Sequence, residues 1–252
     1  MALLAIRNVN HFFGGLRAVN GFNLDLEDGE FLGLIGPNGA GKTTVFNLVS
    51  GFYSPTEGEI LFQGKNISGL RPHAVTSLGL ARTFQNIRLW NSMTVFENLC
   101  ISQHCRLGYG FLSSILWTKK FRKKEKAVFR AAEEMLDILQ LKDCAGEYPK
   151  NLAYGLQRRV EIGRALAARP RLLMLDEPAA GMNPTEIEQL IDLIKWIREE
   201  FKLTIWLIEH QMKVVMSLCE RIMVLDFGAT IAEGLPSEVR NNRHVIKAYL
   251  GD

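Results

Sequence analysis

The sequence lacks any apolar run approaching the roughly 18 residues that a membrane-spanning helix requires, so any role at a membrane has to come through a partner. The opening Met1 to Ile6 is apolar, but Arg7, Asn8 and Asn10 interrupt it and no basic segment precedes it, which does not fit an export signal. Cysteine is scarce. Cys100, Cys105, Cys144 and Cys219 form no CxxC pair and have no histidine cluster at zinc-finger spacing, so they read as small apolar residues in a reducing compartment. A net charge of +3 over 252 residues gives no argument for nucleic acid or an acidic substrate. Internal repeats, low-complexity tracts and sustained heptads are also missing, which excludes a solenoid or a long coiled coil.

What is present is the composition of a folded globular chain, 47% hydrophobic and 23% charged, at a size that suits one α/β domain carrying an insertion. Residues 1 to 30 alternate apolar and polar, as in Phe22, Leu24 and Leu26 against Asn23, Asp25 and Glu27, predicting half-buried antiparallel strands. Phe31 to Ile35, Leu172 to Leu175 and Thr204 to Ile208 are instead continuous apolar runs, as expected of parallel strands buried on both faces. Because the last two end in acidic or histidine residues, chemistry should gather at one edge of that sheet. Between the first and second runs, Val128, Ala132, Met135 and Leu139 fall at helical spacing, predicting a helix over Ala127 to Leu141 within an inserted helical subdomain. Ile187, Leu190, Ile191, Ile194 and Ile197 predict a second amphipathic helix, with Asn183 as its cap and Pro184 at its first position.

Gly36, Pro37, Asn38, Gly39, Ala40, Gly41, Lys42 and Thr43 match GxxxxGK[ST] between a buried strand and the apolar helical stretch Val45 to Val49. Glycines let the backbone close round phosphates, the amide groups of a helix N-terminus point at the anion, Lys42 brings a positive charge to the β and γ phosphates, and Thr43 can ligate Mg2+. A glycine-rich turn before a helix is the plain alternative. The strand Leu172 to Leu175 then ends in Asp176 and Glu177, an arrangement that can hold Mg2+ through the first carboxylate and polarise an attacking water with the second.

These motifs resemble, in order and over essentially the whole chain, those of the ABC ATPases: Phe13 before the P-loop, Gly36 to Thr43 with Thr44 after it, Gln85 in Arg-Thr-Phe-Gln-Asn, the signature Leu152 to Leu156, Asp176 and Glu177, the short loop Ala180 to Asn183, and His210. The resemblance implies a P-loop NTPase core with a central, mainly parallel sheet, an antiparallel β subdomain and an inserted α-helical subdomain. It implies one domain over 1–252, with the core in 1–90 and 165–252 and the helical insertion, carrying the signature, in 91–164. It implies ATP and Mg2+ as ligands, the metal on Thr43, Gln85 and Asp176. Glu177, Gln85 and His210 would act at the γ phosphate, and Tyr154 and Gly155 at the ATP of a partner subunit. Phe13 would stack on adenine, although Phe12 adjoins it in a strand, so that one of the two should turn inward as core.

Within that family, Gly79 to Gln85, Ala180 to Pro184, Leu225 to Gly228, Ile231 to Gly234 and Val245 to Gly251 are similar to the ATPases of branched-chain amino-acid importers. ATPases of urea or amide importers and of a lipopolysaccharide exporter share much of the pattern. The resemblance implies work at the cytoplasmic face of the inner membrane with two integral-membrane permease subunits, a second ATPase subunit (identical or a sister chain), and, indirectly, a periplasmic substrate-binding protein. Nucleic acid is not an expected partner. The signature departs from Leu-Ser-Gly-Gly-Gln: Ala153 lacks the serine hydroxyl, Tyr154 replaces a glycine and Leu156 the glutamine. The run from Lys119 to Lys126, after apolar Tyr109 to Trp117, reads as a solvated helix face, with anionic lipid headgroups as the alternative contact. DNA-linked and translation-linked ABC proteins fit less well, since the insertion is short and there is one ATPase domain; a small-molecule kinase would have no use for the signature, Asp-Glu pair and histidine together.

Overall fold

The computed structural model describes residues 2–103 and 119–250. Near the N-terminus β1 (Leu4–Phe13) and β2 (Leu16–Leu26) pair antiparallel, and β4 (Glu57–Phe62) and β5 (Lys65–Asn66) complete a four-stranded sheet in the order β2-β1-β4-β5. The predicted alternation holds in β2, where Phe22, Leu24 and Leu26 are buried and Asn23 and Asp25 exposed. It fails at the end of β1. The β1–β2 register shifts between Val9 and His11 and again between His11 and Phe12, so the two-residue period breaks. Phe12 and Phe13 are consequently 38% and 44% exposed, and the expectation that one of them joins the core is corrected.

A second sheet holds six strands in the order β10-β9-β3-β8-β7-β6, with β3 (Phe31–Ile35), β6 (Leu80–Arg82), β7 (Leu172–Asp176), β8 (Thr204–Ile208), β9 (Arg221–Asp226) and β10 (Ala229–Gly234). The pairings from β9 through to β6 are parallel, and β10 returns antiparallel on β9. Every residue of β3, β7 and β8 is buried, because the two faces enter different cores. Phe31, Ile35, Leu173, Leu175, Ile205 and Leu207 point into one, while Leu32, Leu34, Leu172, Met174, Trp206 and Ile208 point into the other, shared with Leu4, Ile6 and Phe22 of the antiparallel sheet. Continuous apolar runs are what such two-sided burial demands.

Helix α1 (Lys42–Val49) follows β3, and its Val45, Phe46, Leu48 and Val49 fill the second core. After the short α2 (Pro72–Ser77), the helices α3 (Val95–Ser102), α4 (Lys119–Ile138) and α5 (Tyr154–Ala167) pack together through Leu99, Val128, Ala132, Met135, Leu139 and Val160. Helix α4 begins earlier than its apolar periodicity predicts. The Lys- and Arg-rich first turns leave Arg122, Lys123 and Lys126 exposed, as the solvated-face reading expects; straight-chain residues favour helix without adding an apolar stripe. Cys105 and the apolar stretch Tyr109 to Trp117 lie outside the described residues. Helix α6 (Pro184–Phe201) starts where the sequence indicates: Asn183 accepts from the Glu186 amide at 3.0 Å, and Glu186 accepts from the Asn183 amide at 2.9 Å. The chain closes through α7 (Met212–Leu218), α8 (Pro236–Arg240) and α9 (Arg243–Leu250).

Candidate functional site

Strands β3, β7 and β8 lie side by side and all end at the same edge of the sheet, so the loops that follow them meet. After β3 the chain turns through Gly36 to Gly41 into α1. Gly41 is the N-cap of α1 with φ 102°, and no side chain caps the helix start. A Cβ at Gly41 would stand 2.6 Å from the Ala18 carbonyl oxygen, so only glycine brings the turn this close to β2. Lys42 is buried, and its Nζ donates to the carbonyls of Gly36 at 2.7 Å and Pro37 at 2.9 Å. Burial lowers its pKa, and the nearby Glu177 and Asp176 act against that shift.

The loops after β7 and β8 supply the acidic groups. Glu177 sits in the left-handed region at φ 45°, and its amide donates to the Ile208 carbonyl at 2.9 Å. Its carboxylate accepts from the Gln85 side-chain amide at 2.7 Å and lies 3.6 Å from His210 Nδ1. Three residues picked out by sequence, on three loops, therefore converge. Asp176 is buried and paired with Arg82 at 2.7 Å, and Arg82 also donates to Asn47 and Ser50 of the α1 region. Burial lowers the Arg82 pKa, with Asp176 opposing.

A cavity of about 610 Å³ lies over the P-loop and is lined by Phe13, Asn38 to Thr44, Gln85 and Glu177. Tyr154 and Gly155 do not reach it. Gly155 lies beside Glu186 and opens, with Ala153 and Leu156, on a separate cavity of about 310 Å³. Ala153 is the N-cap of α5 and offers no side-chain acceptor, so the helix start has no side-chain cap.

Four residues escaped the sequence reading. Arg158 is wholly buried and donates to the Phe84 carbonyl at 2.7 Å, the Gln85 carbonyl at 2.9 Å, the Tyr154 hydroxyl at 3.0 Å and Glu161 at 2.5 Å. Glu161 in turn accepts from the amides of Phe84 and Arg88. Burial pushes the Glu161 carboxyl up, while Arg158 and those two amides pull it down. The pair ties the start of α5 to the loop that carries Gln85. Glu209 is buried and accepts from the amides of Ala179, His210 and Gln211, fixing the loops after β7 and β8 to each other. Its position at the end of an apolar strand, directly before His210, was the available signal. Arg82 carried a comparable one, a charge closing the short strand β6.

The arrangement suits a nucleotide. The start of α1 has amide groups that no side chain satisfies, beside a lysine held on backbone carbonyls alone, which is a cradle for phosphate. Thr43 and Gln85 line the cavity with hard oxygen donors, while Asp176 lies at the end of β7, buried against Arg82 and outside the cavity lining; Mg2+ takes few protein ligands because phosphates and water complete its shell. No helix among the described residues is long and apolar enough to cross a membrane.

Comparison with known proteins agrees with this geometry. Residues 19–180 match the family model of the ABC transporter, and residues 229–252 match that of the branched-chain amino acid ATP-binding cassette transporter. The chain is 48% identical over 250 residues to the high-affinity branched-chain amino acid transport ATP-binding protein BraF of Pseudomonas aeruginosa, covering 99% of this chain and 98% of that protein. Identity to LivG of Escherichia coli strain K12 is 47% over the same shares. Among solved structures, the ADP conformation of MJ1267, an ATP-binding cassette of an ABC transporter, superposes with a TM-score of 0.86 at 31% identity, with both chains fully covered. Its P-loop, its acidic strand ends and its likeness to these cassettes over the full length show that the chain belongs to the ABC transporter family, as a nucleotide-binding ATPase subunit that works with membrane permeases.

Proposed function

We propose that this chain hydrolyses Mg-ATP to drive import of branched-chain amino acids, docked on two permeases at the cytoplasmic face of the inner membrane. The observation that carries the reading is the convergence of Gln85, Glu177 and His210 beside the P-loop, and near-full-length identity to BraF and LivG supports the substrate class. Lys42 and the α1 amides hold the β and γ phosphates. Glu177 accepts the proton of the attacking water, held in line by Gln85, and His210 contacts the γ phosphate. Phe13, exposed at the cavity wall, offers a face to adenine. Thr43, Gln85 and Asp176 would hold Mg2+, which would neutralise phosphate charge when bound. A second ATPase subunit completes each site with its signature, and a periplasmic binding protein delivers the amino acid to the permeases. The described helices of the insertion, α3 to α5, present Tyr154 and Gly155 to the partner's ATP.

Ala153 has no hydroxyl, and the Tyr154 hydroxyl is engaged by Arg158 at 3.0 Å. The signature therefore offers mainly backbone amides, and the site it completes hydrolyses more slowly than the site built on Lys42 and Glu177 when the partner's signature is complete. The test is reconstitution with permeases, partner ATPase and binding protein in liposomes. ATP-dependent uptake of leucine, isoleucine and valine but not urea is expected. Uptake of urea alone, or ATP-driven export, would overturn the substrate assignment.

A further inference from the structure

The hairpin joining β9 to β10 turns in two residues, Phe227 and Gly228, between the paired Asp226 and Ala229. Both have positive φ, 40° and 79°, the signature of a type I′ turn. Asn-Gly or Asp-Gly is the preferred pair there, because a bulky side chain is strained in the left-handed region. This chain places phenylalanine at that position and leaves it 87% exposed. It thus accepts two unfavourable features, backbone strain and an uncovered aromatic ring, at one residue. Strain of this kind persists where the surroundings fix it, and it clusters at ligand sites.

The surroundings do fix it. The Gly228 amide donates to the Ala40 carbonyl of the P-loop at 2.9 Å, and the Gly228 carbonyl accepts from Asn20 of β2 at 2.8 Å. The hairpin tip is therefore bonded to the phosphate loop on one side and to β2 on the other, and Phe227 lines the same cavity as Phe13, Lys42 and Thr43. We propose that Phe227 is a nucleotide-binding residue, its ring forming an apolar wall against the base or ribose of the nucleotide whose phosphates lie on the P-loop. This rests on reading the cavity as the nucleotide site. It assigns the β9–β10 hairpin a role in holding the nucleoside, in addition to the aromatic face offered by Phe13.

The test compares binding of Mg-ATP and of inorganic tripolyphosphate to the full chain by calorimetry, for wild type, Phe227→Asn, Phe227→Tyr and Lys42→Ala. Asparagine suits the turn, so Phe227→Asn should melt at a higher temperature than wild type while binding Mg-ATP about five- to tenfold more weakly. Tripolyphosphate affinity should not change, and Phe227→Tyr should keep wild-type affinity for both ligands. Equal weakening for both ligands would overturn the proposal, making Phe227 a shaper of the P-loop. Unchanged ATP affinity with loss of ATP-dependent dimerisation would overturn it in favour of contact with a second subunit. Loss of ATP in Lys42→Ala but not in Phe227→Asn overturns this proposal alone, whereas equal ATP binding by Lys42→Ala and wild type overturns the site reading and the proposal with it.

Discussion

The Gln85 side-chain amide donates to Glu177 Oε2 over 2.7 Å, joining the loop after β6 to the loop after β7. The bond links the segment that Arg158 ties to α5 with the carboxylate beside the P-loop. Movement of α5 against the core therefore has a direct route to Glu177, through the Gln85 carbonyl, its backbone and its amide. An isolated glutamine in a loop has no such consequence unless something rigid holds its backbone, and here Arg158 does.

Replacing Arg82 by Met should destabilise the chain by about 3 to 5 kcal/mol, because Asp176 would keep a buried charge without its partner. Urea denaturation measures this. The double variant Arg82→Met, Asp176→Asn should lose clearly less than the sum of the two single changes, since both charges of the pair, each about 4% exposed, are then removed.

Arg158→Lys keeps the charge but loses the planar fork that reaches Phe84, Gln85, Tyr154 and Glu161. Turnover should fall roughly ten- to a hundredfold through misplacement of Gln85, with KM for ATP changed little, because no P-loop contact is altered. A rise in KM at constant kcat would show that Arg158 supports binding and not positioning.

Burial pushes the Cys100 and Cys219 thiols up to about 12. Both should resist alkylation in the native protein at pH 8 and react once urea unfolds it. The sign for stability follows. Native thiols hold their protons above the pH at which unfolded ones ionise, so the unfolded state binds fewer protons and stability falls as pH rises from the ordinary thiol pKa of about 8.5 toward 12. Replacing both residues by Ala should flatten that alkaline decline, which melting temperatures across pH 7 to 11 would follow. An unchanged decline would assign it to other groups.

Asn183→Ala removes one half of the capping box at the start of α6 and should cost about 1 kcal/mol of stability, measured by urea denaturation.

Much of this was legible because the signals are local. The P-loop, the Asp176–Glu177 strand end and the Asn183 cap depend on residues a few positions apart, and their spacing is set by one turn or one strand. The three buried strands were legible because two-sided burial confines polar residues to their ends, Asp176 in β7 and Thr204 in β8. The rest depends on contacts between distant segments. Arg82 meets Asp176, and Arg158 meets Gln85, across 94 and 73 positions of sequence; a charge closing β6 is a faint local sign for Arg82, and nothing near Arg158 indicates a buried arginine. The exposure of Phe12 and Phe13 was missed for a different reason: alternation in β1 is a sound expectation until a register shift interrupts it, and the shift comes from pairing with β2.

In the proposed mechanism labour is divided at the edge of the parallel sheet, with Lys42 holding phosphate charge in the ground state and Glu177 acting on the attacking water. The most direct measurement is Mg-ATP binding together with single-turnover hydrolysis for Glu177→Gln and Lys42→Ala. Glu177→Gln should bind Mg-ATP about as well as wild type, hydrolyse it at least roughly a hundredfold more slowly, and accumulate an ATP-bound dimer, while Lys42→Ala should lose most binding. Hydrolysis by Glu177→Gln at close to the wild-type rate, with binding intact, would contradict the account.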